Sequence, residues 1–266
     1  MTNDALLTLY DEQLRTHAEV ADADRVDRVG PLWLGTYSER GRGLITYQSI
    51  PADQDLDDLI TAALDSVTSD PAVTEVEWKT RLHDDIPHLA AMLRSHGFHL
   101  DEPETVVVGP LEAVLAADPG LPTGYRLELA DGPGLIREAE EQAGAVFGHS
   151  ADRIEGTAHQ LIQRHEANPE SFEMWLVRGP EGDAVCSGRI EFVDGTDFVG
   201  VWGGACQPGH RGRGLYRALT GERARSALAR GKKYLHSDCT EDSRPILQRA
   251  GLQAVTVTVP AVWTRA

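Results

Sequence analysis

The chain has 266 residues, 41% of them hydrophobic and 25% charged, and a formal net charge of −17. That is a globular composition with room for one large domain or two of ordinary size. The charge argues against nucleic acid as a partner, because a phosphate backbone would be repelled, and no apolar run approaches the ~20 residues of a membrane helix. Met1-Thr2-Asn3-Asp4 lacks the basic start and apolar core of a signal peptide. The three cysteines, Cys186, Cys206 and Cys239, show no metal-type spacing and are odd in number. The expectation is a cytoplasmic protein without structural disulfides or a metal site.

In chain order, Leu6, Tyr10 and Leu14 recur at helical spacing behind Thr2 or Asn3 as N-cap. Residues 31–37 and 44–50 read as strands around a turn at 40–43. A helix follows with Leu56, Leu59, Ile60, Ala63, Leu64 and Val67 on one face. Residues 73–80 alternate as a strand, 86–96 form a helix stopped by Gly97, and 104–109 are a strand. A short apolar helix-like stretch leads into 116–124, whose two prolines and two glycines mark a linker. The expected division is a domain over 1–118, a linker over 119–124 and a domain over 125–266.

The second half opens with a strand at 125–130 and helices at 135–147 and 151–167. Strands follow at 172–178, 184–193 and 196–206, the last two joined by the hairpin signal Asp194-Gly195. Then come a helix at 215–230, a strand at 233–239, a helix at 242–250 ended by Gly251, and a strand at 253–259. The pattern is α/β with a mixed sheet. The halves end alike. Val76-Glu77-Trp78-Lys79, a helix, Ser95-His96-Gly97-Phe98 and a strand match Lys233-Tyr234-Leu235-His236, a helix, Arg249-Ala250-Gly251-Leu252 and a strand. This suggests two copies of one fold, the first smaller and degenerate or accessory.

Arg-Gly-Arg-Gly-Leu occurs twice, at 40–44 and 211–215. A glycine-rich loop holds phosphate when a strand enters it and a helix leaves it, because the helix N-terminus offers free N–H groups and a favourable dipole. Only the second copy has that setting. The first is followed by β-formers and reads as a hairpin turn.

The segment Pro208-Gly209-His210-Arg211-Gly212-Arg213-Gly214-Leu215-Tyr216 resembles the pyrophosphate loop of the GNAT superfamily of acyl-CoA N-acyltransferases, Arg/Gln-x-x-Gly-x-Gly/Ala. Asp242-Ser243-Arg244-Pro245-Ile246-Leu247-Gln248-Arg249-Ala250-Gly251-Leu252 looks like the family's fourth helix and its Gly-Phe-type ending. The resemblance covers about 123–262 and implies acetyl-CoA as acyl donor. It assigns CoA binding to Ala205, Cys206, Gln207, Arg211, Gly212, Arg213, Gly214, Leu215, Tyr216 and Ser243. Two positions depart from the pattern: Tyr216 stands where Gly or Ala is usual, and Leu247 stands where many members carry an acidic tyrosine.

Acyl transfer to an amine needs a base, a donor for the developing oxyanion and an acid for the thiolate. Glu191 is the first candidate base, Asp238 the second, and His149 a third with a suitable pKa near ~6.5. The backbone N–H of Cys206 is the candidate oxyanion donor. With Leu247 in place of the tyrosine, Tyr216, Ser243 or solvent must protonate the thiolate. Trp202 is expected in the pocket wall or core, and the thiols of Cys206 and Cys239 as small apolar fillers. The expected function is N-acetylation of a small-molecule amine. The alternatives are a different acyl donor or acceptor, including a protein N-terminus or lysine, and a CoA-binding sensor without turnover. The acidic balance fits a cationic acceptor or solubility alone, and no membrane partner is expected.

Overall fold

The computed structural model describes residues 1–265. The first elements are α1 (Asn3–Gln13), β1 (Arg25–Val29), β2 (Leu32–Tyr37), β3 (Arg42–Tyr47), α2 (Leu56–Thr68), β4 (Glu75–Arg81) and α3 (Leu89–Ser95). Then follow β5 (His99–Leu100), β6 (Glu104–Pro110) and α4 (Leu111–Ala116). Local chemistry sets the helix starts. The Thr2 hydroxyl accepts from Ala5 N–H ahead of α1, and the Asp55 carboxylate accepts from Asp57 and Asp58 N–H ahead of α2. The strand β1, Arg-Val-Asp-Arg-Val, is absent from the sequence reading. It is charged and half exposed, so it shows none of the apolar alternation that marks β2 and β3.

The remaining elements are β7 (Arg126–Leu129), α5 (Pro133–Phe147), α6 (Ala151–Ala167), β8 (Phe172–Arg178), β9 (Ala184–Phe192) and β10 (Phe198–Cys206). They are followed by α7 (Leu215–Ala229), β11 (Tyr234–Cys239), α8 (Arg244–Arg249) and β12 (Gln253–Thr264). The result is an α/β protein with a mixed sheet.

Two compact units emerge. The first holds residues 1–106, 238–241 and those from Ala254 on; the second holds 107–237 and 242–253. In the first, β1, β2 and β3 pair antiparallel in turn, β3 pairs parallel with β4, and β12 lies antiparallel to β4 from Thr258↔Arg81 to Thr264↔Glu75. In the second, β7, β8, β9 and β10 pair antiparallel in turn and β10 pairs parallel with β11. The order of pairings from β1 to β4 thus repeats from β8 to β11. The shared endings seen in sequence have one structural cause. In α3, Phe98 N–H donates to Leu93 O with Gly97 at φ 86°; in α8, Leu252 N–H donates to Leu247 O with Gly251 at φ 95°. Both are glycine-closed C-caps.

The division differs from the sequence boundary in two ways. The last strand lies in the first unit, where its backbone completes the ladder of β4. Residues 119–124 lie within the second unit: Asp118 accepts from Gly120 N–H (2.8 Å) and pairs with Arg225 (3.3 Å), and Pro119 abuts Gly214. The prolines and glycines there serve a packed turn, not a free linker.

The core of the first unit gathers Leu34, Ile45, Tyr47, Ile60, Val67, Trp78 and Phe98. Gly43 sits where β3 passes under α2, and a Cβ there would collide with Val67. Gly43→Ala is therefore expected to destabilise the fold by about 1–3 kcal/mol through overpacking, read as a lower urea midpoint.

Candidate functional site

The site of interest lies at the end of β10. Its parallel ladder with β11 runs through Phe198↔Tyr234, Val199↔Leu235 and Gly200↔His236. At the next position the Ser237 hydroxyl donates to Val201 O at 2.9 Å, so a side chain takes the acceptor where the ladder leaves off. On the other side, pairing with β9 shifts between Trp202↔Arg189 and Ala205↔Ser187. Gly203 and Gly204 together oppose Gly188, which is a β-bulge. Glycine is required here. Gly203 has φ 61°, and a Cβ on Gly204 would fall within the phenol ring of Tyr216.

After the bulge, Gln207 N–H donates to Val185 O at 2.9 Å. Cys206 and its partner Cys186 therefore form a non-hydrogen-bonded pair, and the N–H and C=O of Cys206 face away from β9 toward the open edge. Arg211 already uses this edge, its Nε donating to Cys206 O at 3.0 Å.

The loop then turns through Gly212 (φ 77°) and Gly214 (φ 81°) into α7. Gly214, the N-cap residue of α7, makes no side-chain capping hydrogen bond. Arg211 and Arg213 are exposed, and among the described residues neither has a carboxylate partner. In a chain of charge −17, this loop is a local positive site at a helix N-terminus. The residues read from sequence as CoA ligands, from Ala205 to Tyr216, thus form one continuous strand end, loop and helix start. Ser243 lies elsewhere in the chain's path, directly before α8, where its carbonyl accepts from Ile246 and Leu247 N–H. Leu247 is buried.

One residue that sequence reasoning missed lies beneath the bulge. Arg223 on α7 is fully buried, with Nη1 donating to Arg189 O (3.0 Å) and Nη2 to Thr220 Oγ1 (3.1 Å). Its guanidinium lies 5.7 Å from the Tyr216 ring centroid. Burial lowers its pKa, and the neighbouring Tyr216 works against that. Gly188 leaves room for it, since a Cβ there would stand 2.8 Å from Nη1. Trp202 packs edge-on against His236, centroids 5.5 Å apart.

The candidate bases separate. Glu191 is gripped by Arg189 (2.6 Å) and Arg164 (3.0 Å). Burial alone would raise its pKa, but the two guanidiniums and their hydrogen bonds hold it down to about 2. A carboxylate that weakly basic is a poor proton acceptor near neutrality, which corrects the first choice from sequence. Asp238 belongs to the first unit and is ion-paired to Lys79 at 2.6 Å. His149 sits on the turn after α5, stacked on the exposed Phe147. Glu140 on α5 was not singled out in sequence. It is half-buried, and burial raises its pKa although Arg189 opposes the rise. Also on α5, Gln142 is 6% exposed and both of its amide atoms lack a hydrogen-bond partner. Such a group costs about 1–3 kcal/mol unless something satisfies it.

The topological counterpart of this site in the first unit is filled. The β3–β4 ladder stops after Ile45↔Trp78. Beyond it, Glu19 accepts from Thr46 (2.5 Å) and Arg81 (2.6 Å), and Lys79 bridges Glu19 (3.1 Å) and Asp238. Arg15 Nε donates to Tyr47 O at the end of β3 (3.3 Å). Asp55 caps α2 with the chain's own carboxylate. The first Arg-Gly-Arg-Gly-Leu lies at the other end of β3, in a turn with Gly41 at φ 63° and Arg42 paired to Glu77.

No family model matches the chain, and no curated protein matches it. Solved structures do. A GCN5-related N-acetyltransferase from Kribbella flavida aligns with TM-score 0.70 at 17% identity, over 98% of this chain and 95% of its own. A tandem GNAT protein from the clavulanic acid biosynthesis pathway aligns with TM-score 0.63 at 13% identity, over the same 98% and 95%. A GCN5-related N-acetyltransferase from Sphaerobacter thermophilus aligns with TM-score 0.61 at 16% identity, over 88% and 76%. The chain has the GCN5-related N-acetyltransferase fold along nearly its whole length. No helix of the described residues is long and apolar enough to cross a membrane, and they contain no metal-binding cluster.

The grip on Glu191 sets a pH window. Its folded pKa lies below the unfolded value near 4.5, so its contribution to stability is full above that value and fades as pH falls toward about 2. Urea midpoints taken from pH 5 down to pH ~2.5 should fall less steeply in Glu191→Gln than in the wild type.

Proposed function

We propose that this GCN5-related fold works as an N-acetyltransferase, moving an acetyl group from acetyl-CoA to the amine of a small molecule held in the same complex. One observation carries the reading: the open edge of β10 leads, without interruption, into an uncapped helix N-terminus flanked by arginines free of carboxylates. A phosphate-bearing arm needs both, a strand edge for its amides and a helix start for its anion. The glycine cradle also fits, since Gly212 and Gly214 adopt backbone conformations closed to most other residues.

Bound acetyl-CoA supplies an acyl group activated as a thioester. The first-turn N–H groups of α7, with Arg211 and Arg213, hold the pyrophosphate. The Cys206 N–H, turned to the open edge, donates to the carbonyl oxygen as charge builds on it. Glu140, whose carboxyl pKa is raised by burial, takes the proton of the attacking amine directly or through a water. The Tyr216 hydroxyl lies against Gly204 at the bulge, next to the Arg223 cation. There it returns a proton to a leaving thiolate whose free pKa is near ~8.5. Glu191 orients Arg189 and Arg164. The acidic surface favours a cationic acceptor.

The direct test is thiol release from acetyl-CoA across a panel of small amines. CoA binding without release from any amine would leave a sensor instead of an enzyme. Removing both arginines, Arg211→Ala with Arg213→Ala, should weaken acetyl-CoA binding about tenfold or more and flatten its salt dependence. Arg40→Ala with Arg42→Ala should leave binding unchanged; equal losses from both pairs would refute the single-site reading. Glu140→Gln should lower kcat about 100-fold with rescue toward high pH, while Glu191→Gln keeps the pH profile of the wild type.

A further inference from the structure

Cys186 and Cys206 stand directly opposite each other on β9 and β10. Both are free thiols, Cys186 fully buried and Cys206 partly exposed. The Gln207-to-Val185 hydrogen bond makes them a non-hydrogen-bonded pair. In such a pair the Cα atoms are roughly 4.5 Å apart, which lies at the near edge of the ~4.4–6.8 Å range of disulfides. Cys206 packs against the buried cluster that holds Cys186. The neighbouring Cys186 thiol lowers the pKa of Cys206; burial opposes this and Arg211 assists it. The Cys206 thiol, then burial, pushes Cys186 well above the usual thiol range. One sulfur is thus the reachable nucleophile and the other the protonated resolving thiol behind it. Cys239 takes no part, being buried with its thiol donating to Thr105 O at 3.1 Å.

We propose that Cys186 and Cys206 are a peroxide-oxidised pair that closes a cross-strand disulfide at the mouth of the pyrophosphate loop and thereby weakens CoA binding. The Cys206 thiolate attacks hydrogen peroxide, forming the sulfenic acid and releasing hydroxide. Cys186 then attacks that sulfur, its proton leaving with the displaced hydroxide as water. Two thiols lose two hydrogens and one peroxide becomes two waters. Closure has a mechanical consequence. Facing Cβ atoms on paired strands lie roughly 4.5–5.5 Å apart, closer in a non-hydrogen-bonded pair, whereas a disulfide holds them near ~3.8 Å. The bond therefore draws Cys206 toward β9, away from the open edge where its N–H and C=O are presented and where Arg211 is anchored. The effect on CoA rests on the proposed acyl-CoA site; the bond itself does not.

The test uses the reduced full-length protein treated with hydrogen peroxide, alkylated and mapped by mass spectrometry. The expected product is a single Cys186–Cys206 link, reversed by dithiothreitol, with Cys239 still free. Cys186→Ser should accumulate a dimedone adduct on Cys206, and Cys206→Ser should leave Cys186 unoxidised at the same dose. Three free thiols after treatment, a link through Cys239, or a link between two chains overturns the pair, and none of these readouts needs a fully folded variant. Affinity is measured with desulfo-CoA, which has no thiol to reduce the bond. The oxidised protein should bind it about tenfold or more weakly than the reduced protein. Equal affinity overturns the switch. A reduced protein that binds no desulfo-CoA sinks the CoA reading and the switch with it, while the peptide map still decides the bond.

Discussion

The second unit turns on the bulge of Gly203 and Gly204 opposite Gly188. Two residues facing one bend the strand and shift its register against β9. Arg223 packs against Gly188 on the facing strand. A buried cation is costly unless its donors are used, and it spends them on the Arg189 carbonyl, the Leu219 carbonyl and the Thr220 hydroxyl. The same guanidinium lies beside Tyr216, so the departure of β10, the placement of the phenol and the start of α7 share one support. Alanine at either bulge glycine would crowd or strain this arrangement, which is why three glycines crowd into so short a stretch of two neighbouring strands.

The first unit shows the same strand divergence put to another use. Where β3 leaves β4, the gap holds Glu19, Lys79, Arg81 and Asp238, two anions and two cations that neutralise one another. Burial disfavours the charged forms of Glu19, Lys79 and Arg81, and the attraction among the charges keeps Lys79 and Arg81 protonated and the Glu19 carboxyl well below its usual range. A strand edge that is open in one unit is closed by the chain's own side chains in the other. The same order of strand pairings occurs in both units, and the local residues decide whether the edge it leaves is filled.

Much of this was legible in the sequence. Helices and strands of the second half announced themselves through apolar period and glycine stops, and the loop through its strand-before, helix-after setting. The two Arg-Gly-Arg-Gly-Leu strings were separable because flanking residues, not the string, decide whether a helix N-terminus follows. Three things were hidden. β1 carries charges on a half-exposed edge, so alternation does not betray it. The buried Arg223 looks like any surface arginine on a helix, because burial is a property of packing. Glu191 looked like a base because a lone carboxylate on a strand shows nothing of the arginines that reach it from α6 and from two residues away on β9. Its environment, not its identity, sets its proton affinity, and the same holds for Glu140.

The last strand has a consequence for how the protein is made. The first unit's β4, residues 75–81, pairs with β3 on one side and with residues 258–264 on the other, with Thr80 and Val259 bonded across 179 positions. Translation at roughly 5–20 residues per second puts on the order of ten seconds or more between the two. Until residues 258–264 emerge, β4 has an unfilled edge, and such an edge invites wrong partners. The first unit therefore cannot complete itself before the second has been synthesised, and β12 is the closing stroke of a sheet begun some two hundred residues earlier.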